Sequence, residues 1–480
     1  MSLSQEQIDK LTIPSLEARL TSDTYNIHQM VGMMQRLGIR APILLIGGIF
    51  VTLTLEPVLT LILVSILPFI GILVWRVSKK GIPLYNNLQK SIDRLIGTVR
   101  ENISGVRVIK ALSKTDYEKV RFDRANSEVS DSEKKAGTVM ALTNPVMNLL
   151  LNAGLTLVIL VGAYRVNAGI SGSGKIIAFL SYFIIILNAM LSITRIFVVY
   201  SKGSASAARL QEVLDMPVDL AVSESDFSLK NAGNKGTHIQ FENVDFSYLK
   251  QKNNLENINF CLGHGETLGI IGTCGSGKST VINLLMRLYD VDKGEIQIDG
   301  VNIKEIPGER LHRMFGVVFQ KDILTADSIY ENIDFGRGLT LEQVTAAART
   351  AQAEEFINNL DEKYNHKLTS KGTNLSGGQK QRLLIARAIA GNPQILILDD
   401  SSSALDYKTD MLMRNALYEN YKDTTKIIIA QRVNSIMNSE KILVLDDGVV
   451  MGYGMHEELL ASCAMYKEIF DIQMGGGEIA

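Results

Sequence analysis

A glycine-rich stretch at residues 272–280, GTCGSGKST, limits the fold of this 480-residue chain more than any other feature. It follows an apolar run and opens a run of helical periodicity, the strand, loop and helix context that the pattern GxxxxGK[ST] requires. Glycines there let backbone N–H groups surround phosphate oxygens, and the following helix directs its positive end at the same anion. The flanking patterns oppose a glycine-rich turn with a chance match. The stretch predicts a nucleoside triphosphate site in an α/β domain.

Two side chains of this loop have specific predicted roles. Lys278 is expected to reach the β and γ phosphates, and the Ser279 hydroxyl is expected to ligate Mg²⁺. The complete predicted loop consists of Gly272, Thr273, Cys274, Gly275, Ser276, Gly277, Lys278, Ser279 and Thr280.

The apolar excess of a chain that is 46% hydrophobic overall lies in the first 200 residues. Each of four apolar stretches approaches the length that crosses a bilayer as a helix. These stretches are residues 41–55, 58–75, 145–163 and 176–200. Only Glu56-Pro57 separates the first two, which predicts a helical hairpin with a tight turn. The polar segment 76–143 is too long for a plain loop and carries helical periodicity, so the spanning helices are expected to continue beyond the bilayer.

Basic residues orient the predicted hairpins. They flank the first hairpin on the side away from Glu56: Arg36, Arg40, Arg76, Lys79 and Lys80. By the positive-inside rule that side is cytoplasmic, which predicts a multi-pass plasma-membrane protein with both termini in the cytoplasm. The net charge of −2 gives no reason to expect a nucleic-acid partner. The three cysteines are scattered without metal-ligand spacing, so we expect neither a zinc site nor a disulfide framework.

Several short motifs accompany the phosphate-binding loop. They are FSY ending at Tyr248, VVFQ ending at Gln320, NLSGGQKQR at 374–382, ILILDD at 395–400, SALD at 403–406, and an apolar run at 427–430 followed by Gln431. Together they resemble the nucleotide-binding domain of ATP-binding cassette (ABC) transporters. With the apolar hairpins in front, the chain resembles an exporter-type half-transporter. The resemblance implies an α-helical transmembrane domain at 1–215, a linker at 216–236 and an α/β P-loop cassette at 237–480.

The resemblance implies roles for individual residues around ATP and Mg²⁺. Tyr248 would stack on adenine, which suits its aromatic face. Gln320 would contact Mg²⁺ and the attacking water, and Asp399 would hold the same ion. The signature residues would close over ATP bound to the opposite cassette: Ser376, Gly377, Gly378 and Gln379. Asp406 would lie at that dimer interface.

Two positions depart from the family pattern. Asp400 stands where the family has a glutamate that acts as general base, and Gln431 stands where it has a histidine that contacts the γ-phosphate. The aspartate side chain is one methylene shorter, and a misplacement of about 1 Å can cost ~10²-fold in rate. Glutamine cannot supply an imidazolium charge. We therefore expect the site on this chain's own loop to bind ATP and hydrolyse it slowly.

The intact signature suggests a division of labour between two chains. In this family each ATP site combines one chain's phosphate loop with the other chain's signature, so the chain resembles one member of a heterodimeric multidrug exporter. Two alternatives remain. One is a homodimer in which Asp400 supports slow hydrolysis, and the other is a regulatory or inactive ATP-binding subunit. The mostly aliphatic spanning helices favour a small hydrophobic or amphipathic substrate, with a lipid or a peptide as alternatives.

The family pattern also has six spanning helices, and the sequence shows four. The segment 13–31 resembles the connection between the second and third helices, so the four stretches are expected to correspond to helices three to six. The segment 111–120 resembles a coupling segment that reaches the partner's cassette.

Overall fold

We describe the protein from a computed structural model that covers residues 3–217, 220, 237–248, 250, 252–401 and 404–474. Its residue contacts divide the chain into two compact units. One unit is Pro14–Met216, and the other combines Met1–Ile13 with Pro217–Ala480. The predicted linker, 216–236, lies almost wholly outside the described residues.

The first part of the chain is helical. In chain order its helices are α1 (Gln5–Leu11), α2 (Ile13–Ala18), α3 (Thr24–Met33), α4 (Arg40–Leu55), α5 (Pro57–Ser104), α6 (Val106–Ala111), α7 (Thr115–Ala141), α8 (Thr143–Asn167) and α9 (Ser173–Leu214). Single π-helical segments at Arg19–Asp23 and Met34–Gly38 join α2, α3 and α4 into one continuous rod. Among the described residues, four helical stretches are long and apolar enough to cross a membrane, which confirms the predicted number of spans.

The first hairpin turns where the sequence predicts. Helix α4 ends at Leu55, Glu56 is extended, and Pro57 opens α5, a position where the missing proline N–H costs nothing. Helix α5 has 48 residues, about 70 Å at 1.5 Å per residue, so it extends well beyond a bilayer core of about 30 Å. The long helices therefore continue past their apolar windows, as expected.

The spanning helices pack around buried aliphatic and aromatic side chains. Leu59 and Leu63 of α5 meet Phe179 and Phe183 of α9 in one apolar cluster. Gly154 of α8 allows a close approach between helices, because a Cβ atom there would lie 2.3 Å from the Ile66 side chain.

An ion pair joins the two predicted external turns. Arg165, at the end of α8, donates from Nε to Oε2 of Glu56 at 3.2 Å, and the Glu56 side chain is only 3% exposed. The sequence placed these residues in two separate loops. Their pairing fixes the turn between α4 and α5 against the turn between α8 and α9.

The second unit is built on two sheets. The strands, in chain order, are β1 (Ile239–Phe246), β2 (Leu255–Leu262), β3 (Thr267–Gly272), β4 (Lys293–Ile298), β5 (Val301–Asn302), β6 (Phe315–Val318), β7 (Ile395–Asp399), β8 (Thr425–Ile429), β9 (Lys441–Asp446) and β10 (Val449–Gly454). An antiparallel sheet has the order β2-β1-β4-β5. A larger sheet has the order β10-β9-β3-β8-β7-β6. Its strands β9, β3, β8, β7 and β6 are parallel to one another, and β10 is antiparallel to β9.

Further helices complete the described part of this unit. They are α10 (Lys278–Leu285), α11 (Gly308–Arg313), α12 (Ile329–Asp334), α13 (Leu341–Thr350), α14 (Glu354–Asn358), α15 (Gly377–Ala390), α16 (Tyr407–Asn420), α17 (His456–Ser462) and α18 (Ala464–Met474). Strand β7 is buried on both faces, with Ile395 and Ile397 in one core and Leu396 and Leu398 in another. A continuous apolar run of this kind is typical of a central parallel strand. The α/β domain predicted from residue 237 onward is present.

Helix α1 belongs to the second unit, although the sequence grouped residues 1–215 together. A capping box at Ser4 starts the helix. Gln7 donates to the carbonyl oxygen of Pro217 at 2.7 Å, and the Tyr289 hydroxyl donates to Oδ2 of Asp9 at 2.5 Å. Burial and this hydrogen bond both raise the pKa of Tyr289. These contacts link residues far apart in sequence, which explains why local patterns did not reveal them.

Candidate ATP site

The phosphate-binding loop leaves the carboxyl end of β3 and enters α10 at Lys278, as predicted. Gly275 and Gly277 have φ angles of +83° and +95°, a region that side chains with a Cβ atom rarely adopt. A Cβ atom at Gly277 would also lie 2.6 Å from the Leu255 side chain. Position 277 therefore combines a left-handed backbone with a close neighbour, and both requirements favour glycine.

The Lys278 ammonium folds back over this loop. It donates to the carbonyl oxygens of Gly272 at 3.0 Å and Thr273 at 2.6 Å, and it lies 3.3 Å from the Ser276 hydroxyl. Burial lowers the pKa of Lys278. An ammonium that is half-buried and held only by loop oxygens fits a site for phosphate oxygens.

The predicted magnesium ligands lie side by side. The Ser279 hydroxyl donates to Oδ2 of Asp399 at 2.9 Å, and Asp399 is the last residue of β7. Burial raises the pKa of the Asp399 carboxyl, and the hydrogen bond from Ser279 opposes this effect. A hydroxyl and a carboxylate are the oxygen donors that Mg²⁺ takes beside nucleotide phosphates. The donor set therefore fits the ion predicted from the sequence.

Tyr248 lies beside the loop within an aromatic cluster. Its ring contacts Phe246 and Tyr289 edge to face, with centroids 4.8 Å and 5.0 Å away. Its hydroxyl accepts a hydrogen bond from Asn283 at 3.1 Å and lies 3.5 Å from the hydroxyl of Thr280. The structure thus positions Tyr248 next to α10, and its stacking on adenine stays a prediction.

The two residues that depart from the family pattern contact each other. Gln431 donates from Nε2 to Oδ2 of Asp400 at 2.8 Å. Asp400 has a φ of +49°, uncommon outside glycine, and its N–H donates to the carbonyl oxygen of Ile429 at 3.0 Å. Burial raises the pKa of the Asp400 carboxyl, and the hydrogen bond from Gln431 acts in the opposite direction. Asp400 directly follows the predicted magnesium ligand Asp399, and Gln431 lies two residues after its strand partner Ile429.

Gln320 follows the neighbouring strand. Strand β6 ends at Val318, which pairs with Leu398 of β7, so the chain leaves the sheet beside Asp399. Gln320 is exposed at that edge. This placement agrees with a side chain that reaches an ion or a water at the carboxyl end of the sheet.

The signature begins a different helix. Ser376 caps α15 by accepting from the N–H of Gln379 at 3.2 Å, and the Gln379 side chain accepts from the N–H of Ser376 at 2.9 Å. Gly378 packs closely against the backbone of Ala404, and Gly377 lies against its side chain. Ser376 and Gly377 are exposed, as a surface that contacts another molecule requires.

Asp406 caps the next helix, α16, by accepting from the N–H of Thr409 at 3.0 Å. Hydrogen bonds from the backbone and the side chain of Thr409 lower the pKa of the Asp406 carboxyl. Ser403, part of the same predicted motif, lies outside the described residues.

Two neighbours of the loop, Asp446 and Asn283, belong to none of the sequence motifs. Thr273 donates to Oδ1 of Asp446, the last residue of β9, at 2.7 Å. Asn283 holds the hydroxyl of Tyr248 from α10. Each contact joins segments that are not adjacent in sequence, although an acidic residue at the end of a predicted strand is a usable signal for the first.

Comparisons with known proteins bear on the family and the fold. A family model described as ABC transporter transmembrane region matches residues 1–190, and one described as ABC transporter matches residues 255–403. A solved structure of a bacterial Atm1-family ABC exporter with ATP bound has the same fold. Its TM-score is 0.86 at 24% identity, over 100% of this chain and 83% of that one.

Relatives in sequence cover nearly the whole chain. The uncharacterized ABC transporter ATP-binding protein YfiB of Bacillus subtilis (strain 168) is 34% identical over 99% of this chain and 82% of its own length. The ATP-dependent lipid A-core flippase of Syntrophus aciditrophicus (strain SB) is 32% identical over 95% of this chain and 76% of its own length. The chain belongs to the ABC transporter family, as an exporter half-transporter whose membrane domain is fused to a cassette that binds ATP with Mg²⁺.

Proposed function

We propose that this chain is the slow-site subunit of an ATP-driven exporter that works as a heterodimer. The hydrogen bond between Gln431 and Asp400 carries this proposal. In the family pattern the two positions hold a general base and a histidine that contacts phosphate. Here the two side chains bind each other at 2.8 Å, so one carboxylate oxygen that would receive a proton from water already accepts from an amide.

The chemistry of the pair supports slow hydrolysis. An amide donates hydrogen bonds but carries no positive charge toward a developing phosphate anion. The shorter Asp400 side chain must also reach water across a greater distance than a glutamate would. The binding elements of the same site, Lys278 and the Ser279–Asp399 pair, do not depend on either residue. The site therefore keeps its ATP and turns it over slowly.

The signature supports the heterodimer. Ser376 is exposed and its cap is intact, so it can complete an ATP site on another chain. A partner with a glutamate and a histidine at the two altered positions would supply the faster site. A homodimer of this chain would instead contain two slow sites.

The membrane helices suit hydrophobic or amphipathic substrates of the multidrug type. A groove of about 610 Å³ lies between α5, α7 and α8. Most of the side chains that line it are aliphatic, and Arg76 and Lys80 also line it. The lipid A-core flippase among the relatives makes a lipid substrate the second candidate. By the basic residues near the spans, the cassette and both termini lie in the cytoplasm.

The turn between α6 and α7 is the candidate contact with a partner's cassette. It lies in the segment 111–120 and exposes apolar side chains: Leu112, Tyr117 and Val120 are 64%, 67% and 62% exposed. Apolar side chains grouped at a helix end are typical of a protein interface.

Restoring the family residues tests the slow site directly. The background is Ser376→Ala in the complex with the partner chain, since this change silences the partner's site. Adding Asp400→Glu with Gln431→His should raise ATP hydrolysis about 10²-fold above that background. Each single substitution alone serves as a control and should give a smaller gain. An unchanged rate in the double variant, or full hydrolysis already in the background, contradicts the proposal.

A further inference from the structure

We propose that His238, His264 and Asp299 form a binding site for a transition-metal ion of the Zn²⁺ class. One ligand atom from each side chain lies within 4.8 Å of the others. The cluster is near the amino end of β3, whereas the phosphate-binding loop leaves the carboxyl end of that strand. Its residues are therefore separate from the Mg²⁺ ligands of the ATP site.

The backbone fixes all three positions. His238 directly precedes β1, and its N–H donates to the carbonyl oxygen of Leu262 at 2.8 Å, two residues before His264. The Asp299 N–H donates to the carbonyl oxygen of His238 at 2.9 Å. Asp299 and Gly300, with φ angles of +52° and +73°, form the two-residue turn between β4 and β5. The ligand positions thus lie within two residues of the ends of β1, β2 and β4.

The two imidazole rings lie face to face. Their centroids are 4.1 Å apart and their planes differ by 10°. Nε2 of His264 lies 2.8 Å from one carboxylate oxygen of Asp299, and Nε2 of His238 lies 4.0 Å from the other. Both Nε2 atoms therefore face the same carboxylate.

His238 provides the independent sign of a ligand. Its side chain is only 2% exposed, and its Nε2 atom is buried without a hydrogen-bond partner among the described residues. A buried polar nitrogen without a partner costs free energy. A metal ion between His238 and Asp299 would satisfy this nitrogen.

The opposite nitrogen of His238 is held as metal-bound histidines usually are. Nδ1 lies 2.7 Å from the Thr425 hydroxyl oxygen, which also accepts from the N–H of Gly265 at 3.0 Å. The hydroxyl proton can point to the carbonyl oxygen of Gly263 at 3.4 Å, so Nδ1–H donates to Thr425 and Nε2 keeps its lone pair.

The ligand set matches the chemistry of zinc. Two imidazoles and a carboxylate are common Zn²⁺ ligands, with bonds of about 2.0–2.2 Å and a water in the fourth position of a tetrahedron. Such a tetrahedron separates its ligand atoms by about 3.3 Å. The 4.0 Å between His238 and Asp299 must therefore shorten and the 2.8 Å between His264 and Asp299 must lengthen, each by less than about 1 Å. The His264 side chain is 55% exposed and can make this movement.

A bound ion would connect the two sheets of the cassette. His238 directly precedes β1 and Asp299 directly follows β4 of the antiparallel sheet, whereas Thr425 is the first residue of β8 in the larger sheet. The ion would hold His238 against Thr425 and stabilise this junction. Its role would be structural, since the ATP ligands are elsewhere.

The test measures metal binding to the full chain, purified in detergent without a histidine tag. Excess Mg²⁺ occupies the ATP-site carboxylates, and Zn²⁺ is then added and its binding measured by elemental analysis. Co²⁺ serves as an optical probe of a tetrahedral site. We expect one Zn²⁺ per chain, and we expect His264→Gln and Asp299→Asn each to weaken binding at least about tenfold. Asn tolerates the positive φ at position 299, and His264 is exposed, so both variants should fold.

Two control variants make the result decisive. His312→Gln changes an exposed cassette histidine outside the cluster and should leave binding unchanged. Cys261→Ser removes the exposed thiol nearest in sequence. The proposal is overturned if the wild-type chain binds no Zn²⁺, if the His264→Gln chain binds it with wild-type affinity, or if only Cys261→Ser abolishes binding.

Discussion

The phosphate-binding loop and the signature helix belong to one cassette, yet they differ in what they retain. At the loop, Lys278 and the Ser279–Asp399 pair keep the geometry of nucleotide and Mg²⁺ binding, while Asp400 and Gln431 depart from the family pattern and bind each other. At the signature, the residues match the family and Ser376 forms an intact helix cap. Under the proposed function, the cassette combines a surface that holds ATP with one that completes hydrolysis on another chain.

With the proposed roles, binding and hydrolysis depend on separate residues of one site. Loop amides, the lysine and the predicted Mg²⁺ ligands would act on ATP in its ground state. The residues after Asp399 and after β8 would act on water and on the charge that develops during hydrolysis. Substitution of the second set leaves the first intact. A site can therefore lose ATP hydrolysis while it keeps ATP binding.

The largest effect on ATP affinity should come from a substitution in the phosphate-binding loop. Lys278→Ala removes an ammonium that would contact phosphate oxygens, and charge-assisted hydrogen bonds contribute about 1.5–3 kcal/mol each. We expect ATP binding at this site to weaken about 10- to 100-fold, measured by equilibrium binding to the purified chain.

A matched lysine gives the control for that experiment. Lys304→Ala changes an exposed lysine of the same cassette and should leave ATP affinity unchanged. Wild-type affinity in the Lys278→Ala chain would break the comparison, because the loop would then not be the ATP-binding surface.

A smaller effect is expected from pH. Asp399 must be ionised to hold Mg²⁺, and burial raises its pKa above the usual 3.8. Mg·ATP affinity should therefore be complete above the raised pKa and fall as the pH drops through it, by at most tenfold per pH unit for one proton. The decline should begin at a higher pH than for an ordinary aspartate. Affinity measured across acidic pH checks this.

In the pH experiment, Asp399→Asn distinguishes titration of the protein from titration of the nucleotide. This variant should bind Mg·ATP weakly and keep only the titration of the nucleotide's own phosphates. Asp400→Asn should retain the wild-type pH profile, although the pKa of Asp400 is also raised. A profile that follows Asp400 instead would move the Mg²⁺ ligand to that residue.

The sequence predicts the parts of this molecule that depend on local pattern. The loop at 272–280, the buried strand ending at Asp399 and the Glu56-Pro57 turn each follow from consecutive residues, and the structure has them. The four spans follow from apolar stretches of sufficient length. Both altered positions could also be named from the family motifs.

The sequence did not reveal contacts between distant segments. Asp9 and Tyr289 are 280 residues apart, and no periodicity connects helix α1 to the cassette. The hydrogen bond between Asp400 and Gln431 depends on the pairing of β7 with β8, which brings Asp399 beside Ile429. Sheet register places such residues together, and that register is a property of the folded chain.

The most direct test compares Asp400→Asn with Ser376→Ala in the ATPase activity of the complex formed with a partner chain. Thr340→Ala is the control for the cap, because Thr340 and Gln343 form the same capping box at α13 without a signature. The account predicts less than about a twofold change for Asp400→Asn and Thr340→Ala, and a loss of about 10²-fold or more for Ser376→Ala. A loss of most activity in Asp400→Asn alone would contradict it, since this chain would then hydrolyse its own ATP.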